Sequence, residues 1–436
     1  MTARRPALMG FVLAVVAAAA RGQTAEITPA WSAEAPDTIL WLVDVPGPQP
    51  PTLLVATPRG LITLDARRGE LGSLQPLINR SHIRPAQRSA PDGVSSLPIV
   101  FDRHTLWALR PGTPTRLAWT FEEDALTSAT HRGDPEVLSR WLGVVATPRH
   151  VLAVSSDGRV VWLERETGRG LGRADLGPLA TGRLEVGTDR VVVCWSRAGR
   201  AHFAFLEPDR PGRAAEPVAV EGNVTWTALV GSTLVALGPG RAAIVTADGA
   251  RLAPPPALDR PIDASVCTWE LSAATASQPG TVATAGLVVL RDNDVALLDV
   301  ATGALHWSQP LAGLEPRAPA MLRRLGSCLI VTQGEQRWRV TPGSDTPPST
   351  WQRAGMLDAG LLGDVPCELA RAAEGAGVEL WHVPRRTREP LPPGPAARLR
   401  LPAEWPADEV GRVVWLEDGL IVISKARLAC YRVHLQ

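Results

Sequence analysis

The chain has 436 residues, with 45 Lys and Arg against 44 Asp and Glu. That balance excludes a uniformly basic surface of the kind that holds nucleic acid or anionic lipid, so no nucleic-acid partner is expected. The five cysteines, odd in number and far apart, exclude a disulfide-stapled scaffold.

Residues 1–22 carry the three parts of a secretory signal: Arg4 and Arg5, an apolar run from Ala7 to Ala20, and small residues up to Gly22. The apolar run is roughly 14 residues, short of the roughly 20 that span a bilayer as a helix. Export to the periplasm or cell envelope of a bacterium is the expectation, with no transmembrane segment once the signal is removed. Retention of the segment as a membrane anchor is the competing reading. Residues 23–436 read as one domain.

Along that domain a short apolar strand, a turn of Gly, Asn or Asp type and a second strand recur. Hairpins start near Thr52, Leu97, His150, Asp189, Ser232, Leu287, Gly326, Cys367 and Gly419. Their turns lie roughly 41 to 54 residues apart, the spacing of four-stranded propeller blades. Helical periodicity is nearly absent, and 40 Pro with 39 Gly punctuate the gaps. A segment at Asp364 to Glu374 could pass for a helix but for Pro366. The expected fold is therefore an all-β propeller.

The last hairpin ends at Val433, which leaves the final blade without an outer strand. The segment from Ile27 to Ala35, carrying Trp31, precedes the first hairpin and is predicted to complete that blade and close the ring. Pro-rich stretches at Pro46–Pro51, Pro254–Pro256, Pro347–Pro348 and 384–406 are read as connections between blades, the last as a loop insertion. Ser73 to Gly93 is read as another irregular segment.

Cys194, Cys328 and Cys430 sit inside apolar runs and are read as buried free thiols. No close histidine pair, no G-x-S-x-G elbow and no phosphate-binding loop occurs. Asp292 and Asp294 flank Asn293 but fall short of a calcium loop. His306 and His382 are read as strand-face residues. Neither a cofactor nor a metal is expected.

The stretch ALLDVATGALHW, ending at Trp307, resembles the blade repeat of pyrroloquinoline-quinone-type propellers, in which Leu-Asp is followed by Thr-Gly and then a tryptophan. Asp299, Thr302, Gly303 and Trp307 carry the match. Thr167 and Gly168 form a partial copy, and Trp119 and Trp351 stand at comparable places after their own hairpins. The resemblance implies that these residues, with Trp31, fasten one blade to the next. It implies eight blades, against nine hairpins counted, so eight is expected within a range of seven to nine.

The adjacent cysteines of the quinoprotein dehydrogenases are absent, which places the chain nearer the non-enzymatic envelope propellers. The expected function is a monomeric protein-interaction or ligand-binding scaffold of the cell envelope, without catalysis of its own and with protein partners there. The alternative is a quinoprotein-like or other small-molecule enzyme with its site at the axial channel. Several carboxylates, histidines or arginines converging on one cavity would favour that alternative.

Overall fold

The computed structural model describes residues 25–45, 52–72, 75–76, 83–88, 97–110, 116–122, 140–179, 182–187, 190–214, 216–224, 226–230, 233–238, 241–246, 251–252, 263–269, 284–291, 293–299, 305–315, 318–326, 328–343, 347–362, 365–372, 378–383, 395–399, 401, 405, 410–416 and 418–435. The expected secretory signal at 1–22 and the Pro46–Pro51 and Pro254–Pro256 stretches lie outside them.

The described residues form nine antiparallel sheets, each a meander of four consecutive strands except where noted. The chain is thus an all-β propeller of four-stranded blades, with nine of them where eight were expected. Every predicted hairpin proves to be the central pair of a blade of its own, so none is an insertion. No helix among these residues is long and apolar enough to cross a membrane.

One compact unit, Ala35–Leu322 with Pro342–Asp345, holds six blades. Blade 1 comprises Trp41–Val45, Thr52–Thr57, Gly60–Asp65 and Gln75–Pro76, and blade 2 comprises Arg84–Pro85, Ile99–Phe101, Thr105–Arg110 and Arg116–Glu122. Blade 3 is Trp141–Ala146, His150–Ser155, Arg159–Glu164 and Gly170–Asp175, with Gln87–Arg88 added in parallel beside its first strand. Blade 4 runs from Arg183–Val186 through Val191–Arg197 and Arg200–Leu206 to Val218–Glu221. Blades 5 and 6 are centred on Thr233–Gly238 with Arg241–Thr246 and on Thr284–Leu290 with Asp294–Asp299. The stretch from Ser73 to Gly93, expected to be irregular, therefore supplies short strands to three blades. Its proline content hides them, because Pro76 and Pro85 sit on strands only two residues long.

The second unit takes in Arg323–Thr341 and Thr346–Gln436 with the N-terminal segment up to Glu34. Blade 7 pairs Cys328–Gln333 with Gln336–Val340 and ends on Ser349–Gln352. Blade 8 comprises Met356–Leu362, Val365–Arg371, Val378–His382 and Ala397–Leu399. Its outer strand and the buried Trp405 fall inside the 384–406 stretch predicted as a loop insertion. Blade 9 comprises Val410–Trp415, Gly419–Ser424 and Arg427–Leu435, and its outer strand is Ala25–Glu34. Ala25 faces Leu435 and Glu34 faces Arg427, with a bulge at Ala30 before Trp31 meets Cys430. The predicted completion of the last blade by the N-terminal segment is thus present.

The middle strands of the blades are buried on both faces, which explains their runs of Val, Leu and Ile. Leu53 to Ala56, Val151 to Val154 and Leu420 to Val422 are each nearly inaccessible to solvent. Adjacent blades share apolar cores, as Leu106, Trp119 and Ile99 of blade 2 do with Val144, Val151 and Leu163 of blade 3.

Tryptophan supplies much of that contact because its indole buries a large apolar area while its N–H still needs an acceptor. Trp119 donates to Arg165 O at 2.7 Å, Trp141 to His104 O at 2.9 Å and Trp162 to Glu207 O at 3.2 Å, each across a blade boundary. In the second unit Trp415 of blade 9 donates to Asp358 Oδ2 of blade 8 at 3.0 Å. Arg165, almost fully buried, adds a polar staple: its Nε and Nη2 donate to Leu97 O at 3.1 and 2.9 Å.

Candidate functional site

Three arginines that no sequence motif marks meet at one cleft. Arg84, Arg103 and Arg140 line a cavity of about 190 Å³ with Phe101, Asp102, Trp141, Leu142 and Gly182. Blade 2 contributes its first strand and the turn between its second and third strands, blade 3 the start of its first strand, and blade 4 the residue before its first strand.

Local chemistry holds these parts in place. Asp102 Oδ1 accepts from the backbone N–H groups of His104 and Thr105, both at 2.8 Å, which fixes the turn carrying Arg103. Trp141 then hangs on that turn, its backbone N–H donating to Arg103 O at 2.8 Å and its indole to His104 O. Arg140 is anchored by its main chain, which exchanges hydrogen bonds with Ser156 on the neighbouring turn of blade 3. Gly182 lets blade 4 approach, because a Cβ there would lie 2.4 Å from Leu142 Cδ1.

The electrostatics are one-sided. All three arginines are exposed, while Asp102 is buried and spends one carboxylate oxygen on its own turn. Phe101 and Trp141 form a floor, exposed by only 5 and 3%. Planar guanidinium groups suit a carboxylate or phosphate and offer no nucleophile or general base.

A second cavity of about 180 Å³ adjoins Arg183, Cys194, Trp195 and Phe203 in blade 4. Burial pushes the Cys194 thiol up to about 12, with the nearby Glu185 charge adding to the effect, so the thiol is not a nucleophile near neutrality. Burial also raises Glu185, against the pull of the hydrogen bond from Thr227 and the charge of Arg183.

Of the residues singled out from the sequence, Trp119, Thr167 and Gly168 come together. Gly168 adopts φ 71°, and a Cβ on it would stand 2.7 Å from Trp119 Cδ2. Thr167 Oγ1 donates to Glu164 Oε2 at 2.6 Å and accepts from Arg169 N at 3.2 Å. Trp351 is buried, donating to Glu368 Oε2 of the next blade at 3.2 Å. Trp31 is half-buried on the N-terminal strand. Trp307 is half-buried opposite Leu297, and Asp299 closes its strand opposite Gly286. The Asp299 side chain, Thr302 and Gly303 lie outside the described residues.

His306 is exposed on an outer strand, while His382 is buried with Nδ1 3.8 Å from Cys367 Sγ. Cys194, Cys328, Cys367 and Cys430 are buried and none of them forms a disulfide. Among the described residues no group of three His, Cys, Asp or Glu is placed to hold a metal ion. The arginines were missed because Arg84 and Arg103 lie far apart in the sequence of blade 2 and Arg140 belongs to blade 3.

No protein-family model and no curated protein matches the sequence. Among solved structures, the WD40 domain of SCAP from fission yeast is similar at TM-score 0.51 and 10% identity, over 94% of this chain and 98% of that one. A eukaryotic initiation factor is similar at TM-score 0.50 and 14% identity, over 81 and 88% of the two chains. BamB from Moraxella catarrhalis gives TM-score 0.44 and 11% identity over 93 and 100%. At TM-scores of 0.51 and 0.50 the first two similarities show the propeller fold and nothing finer.

Proposed function

We propose that this chain is an exported propeller of the bacterial cell envelope that works as a monomeric binding scaffold, without catalysis of its own. It holds an anionic partner, protein or ligand, at the cleft of Arg84, Arg103 and Arg140. The observation that carries the reading is that three exposed arginines line one cavity whose single carboxylate, on Asp102, accepts hydrogen bonds from its own turn. Export rests on the signal-like residues 1–22. Pairing of Ala25–Glu34 with the last hairpin supports closure of the ring by the mature N-terminus.

The same convergence of arginines is what a small-molecule enzyme acting on a carboxylate would present, and it keeps that second reading in play. Calorimetric titration with citrate and with inorganic phosphate tests the binding reading. Binding to the wild type that is lost in Arg84→Glu/Arg140→Glu supports it, and equal behaviour of the two proteins contradicts it. Dye-linked alcohol oxidation after incubation with quinone and calcium would overturn the non-catalytic part.

A further inference from the structure

Blades 7 and 8, both in the second unit, enclose more positive charge than their own carboxylates answer. Arg337 and Arg339 stand two residues apart on the strand Gln336–Val340, so they share one face of blade 7, and each is only 3% exposed. That face meets blade 8. Arg337 lies opposite Trp351 and Arg339 opposite Ile330, and both partners belong to the core that blade 7 shares with Ala359 and Val383 of blade 8. Trp381 stands on the facing side of blade 8, opposite Glu368, whose carboxylate accepts from the Trp351 indole. We infer that this interface binds one inorganic anion of chloride size, held by Arg337 and Arg339 from one blade and by the Trp381 indole from the other.

Charge is the first argument. Glu368 is taken by Arg353 and Glu379 by Arg398, so among the described residues neither Arg337 nor Arg339 forms a salt bridge. For Arg337, loss of solvation outweighs the attraction of Glu368 and Glu335. Beside Arg339 lies the Cys328 thiol, which burial pushes up, so it brings no counter-charge. A buried guanidinium without a counter-charge is costly, and a bound anion removes that cost.

The donor inventory is the second. Arg337 Nε, Arg339 Nε and Nη1 and Trp381 Nε1 are buried without an acceptor, while Glu368 Oε1 is the cluster's one acceptor without a donor. A water needs acceptors as well as donors, whereas a halide only accepts. Four donors to one acceptor fit the halide.

Enclosure sets the size. Trp351 and Glu368 are exposed by only 5 and 0% beside the two arginines. No organic carboxylate fits such a place, which separates this site from the exposed cleft of Arg84, Arg103 and Arg140.

Bromide replaces chloride and scatters anomalously, so it is the probe. Crystals of the protein grown in sodium bromide are expected to show an anomalous peak between the strands Gln336–Val340 and Val378–His382. In solution, bromide is exchanged for gluconate at constant ionic strength and the protein is melted. Each tenfold rise in bromide above its dissociation constant should raise the folding equilibrium constant about tenfold. Arg339→Met keeps a side chain of similar length without the charge and is expected to lose this response.

The response is a difference between two salts, so it is read whatever the variant's own stability, and the crystal decides should the variant fail to fold. A peak absent from that interface, or water in its place, overturns the site. So does a bromide response that Arg339→Met retains; if Arg84→Glu/Arg140→Glu then loses it, the halide sits in the exposed cleft instead.

Discussion

The indole of Trp119 lies on Gly168 of the next blade, and its N–H donates to Arg165 O at 2.7 Å, three residues before that glycine. One contact therefore joins a tryptophan that needs an acceptor to a glycine that needs a left-handed turn. Trp119→Ala is expected to cost about 3–5 kcal/mol as a large-to-small change at a buried site. Gly168→Ala should cost about 1–3 kcal/mol, from a positive φ together with overpacking. In the Trp119→Ala background the overpacking disappears, so Gly168→Ala should cost less there. Urea denaturation of the four proteins measures this coupling, and strictly additive losses would separate the two residues.

The N-terminal strand is held along its length by the last hairpin. Deleting residues 25–34 exposes the edge of Arg427–Leu435 and uncovers Val433 and Tyr431. A sharp fall in melting temperature is expected by calorimetry, and an unchanged melting temperature would show that blade 9 stands without its outer strand.

Between blades 7 and 8, Glu368 is fully buried and accepts from Arg353 Nη1 at 2.7 Å, while Arg353 stacks 4.0 Å over the Trp381 ring. Removing only the carboxylate strands a buried cation, so Glu368→Ala should cost about 3–5 kcal/mol. Replacing both partners with methionine should recover most of that loss. A double variant as unstable as Glu368→Ala would contradict this reading of the pair.

Glu185 gives a pH dependence whose sign is fixed by burial. Its folded value lies above the ordinary 4.5, so the folded state holds the proton more tightly than the unfolded chain. Its contribution to stability is full below that ordinary value and is lost as pH rises through the folded one. Gln at this position keeps an acceptor for Thr227 and cannot ionise. Glu185→Gln should therefore melt higher than wild type at about pH 7, with the gap closing near pH 4. A gap independent of pH would remove Glu185 as the cause.

Burial predicts the thiol chemistry as well. Cys194 is pushed up to about 12 and Cys430 to about 11, in both cases chiefly by loss of solvation, and Cys328 is raised too. Iodoacetamide at neutral pH should label none of the three in the native protein and all three in urea, as read by mass spectrometry. Native labelling of Cys194 would show that the second cavity admits reagents to a reactive thiolate.

The hairpins were legible because their signal is local. A run such as Val151 to Val154 is apolar on both faces, and a turn glycine, Gly158 at φ 92°, follows within a few residues. All nine central hairpins were read in place, yet the resemblance made eight the preferred number within a range of seven to nine, and nine is found. Apart from the N-terminal segment, the outer strands were not legible, because two- and three-residue pieces such as Gln75–Pro76 and Ala397–Leu399 carry no periodicity. The arginine cleft was hidden for a related reason. Arg84, Arg103 and Arg140 are ordinary surface residues in sequence; strand pairing within blade 2 brings the first two to one end of that blade, and blade 3 adds the third.

The most direct test of the account is hydrogen–deuterium exchange of the protein with and without citrate. Protection centred on residues 84–85, 101–103 and 140–142 is the predicted result. Protection confined to other blades, or none at a high citrate concentration, would contradict the claim that the arginine cleft is the recognition site.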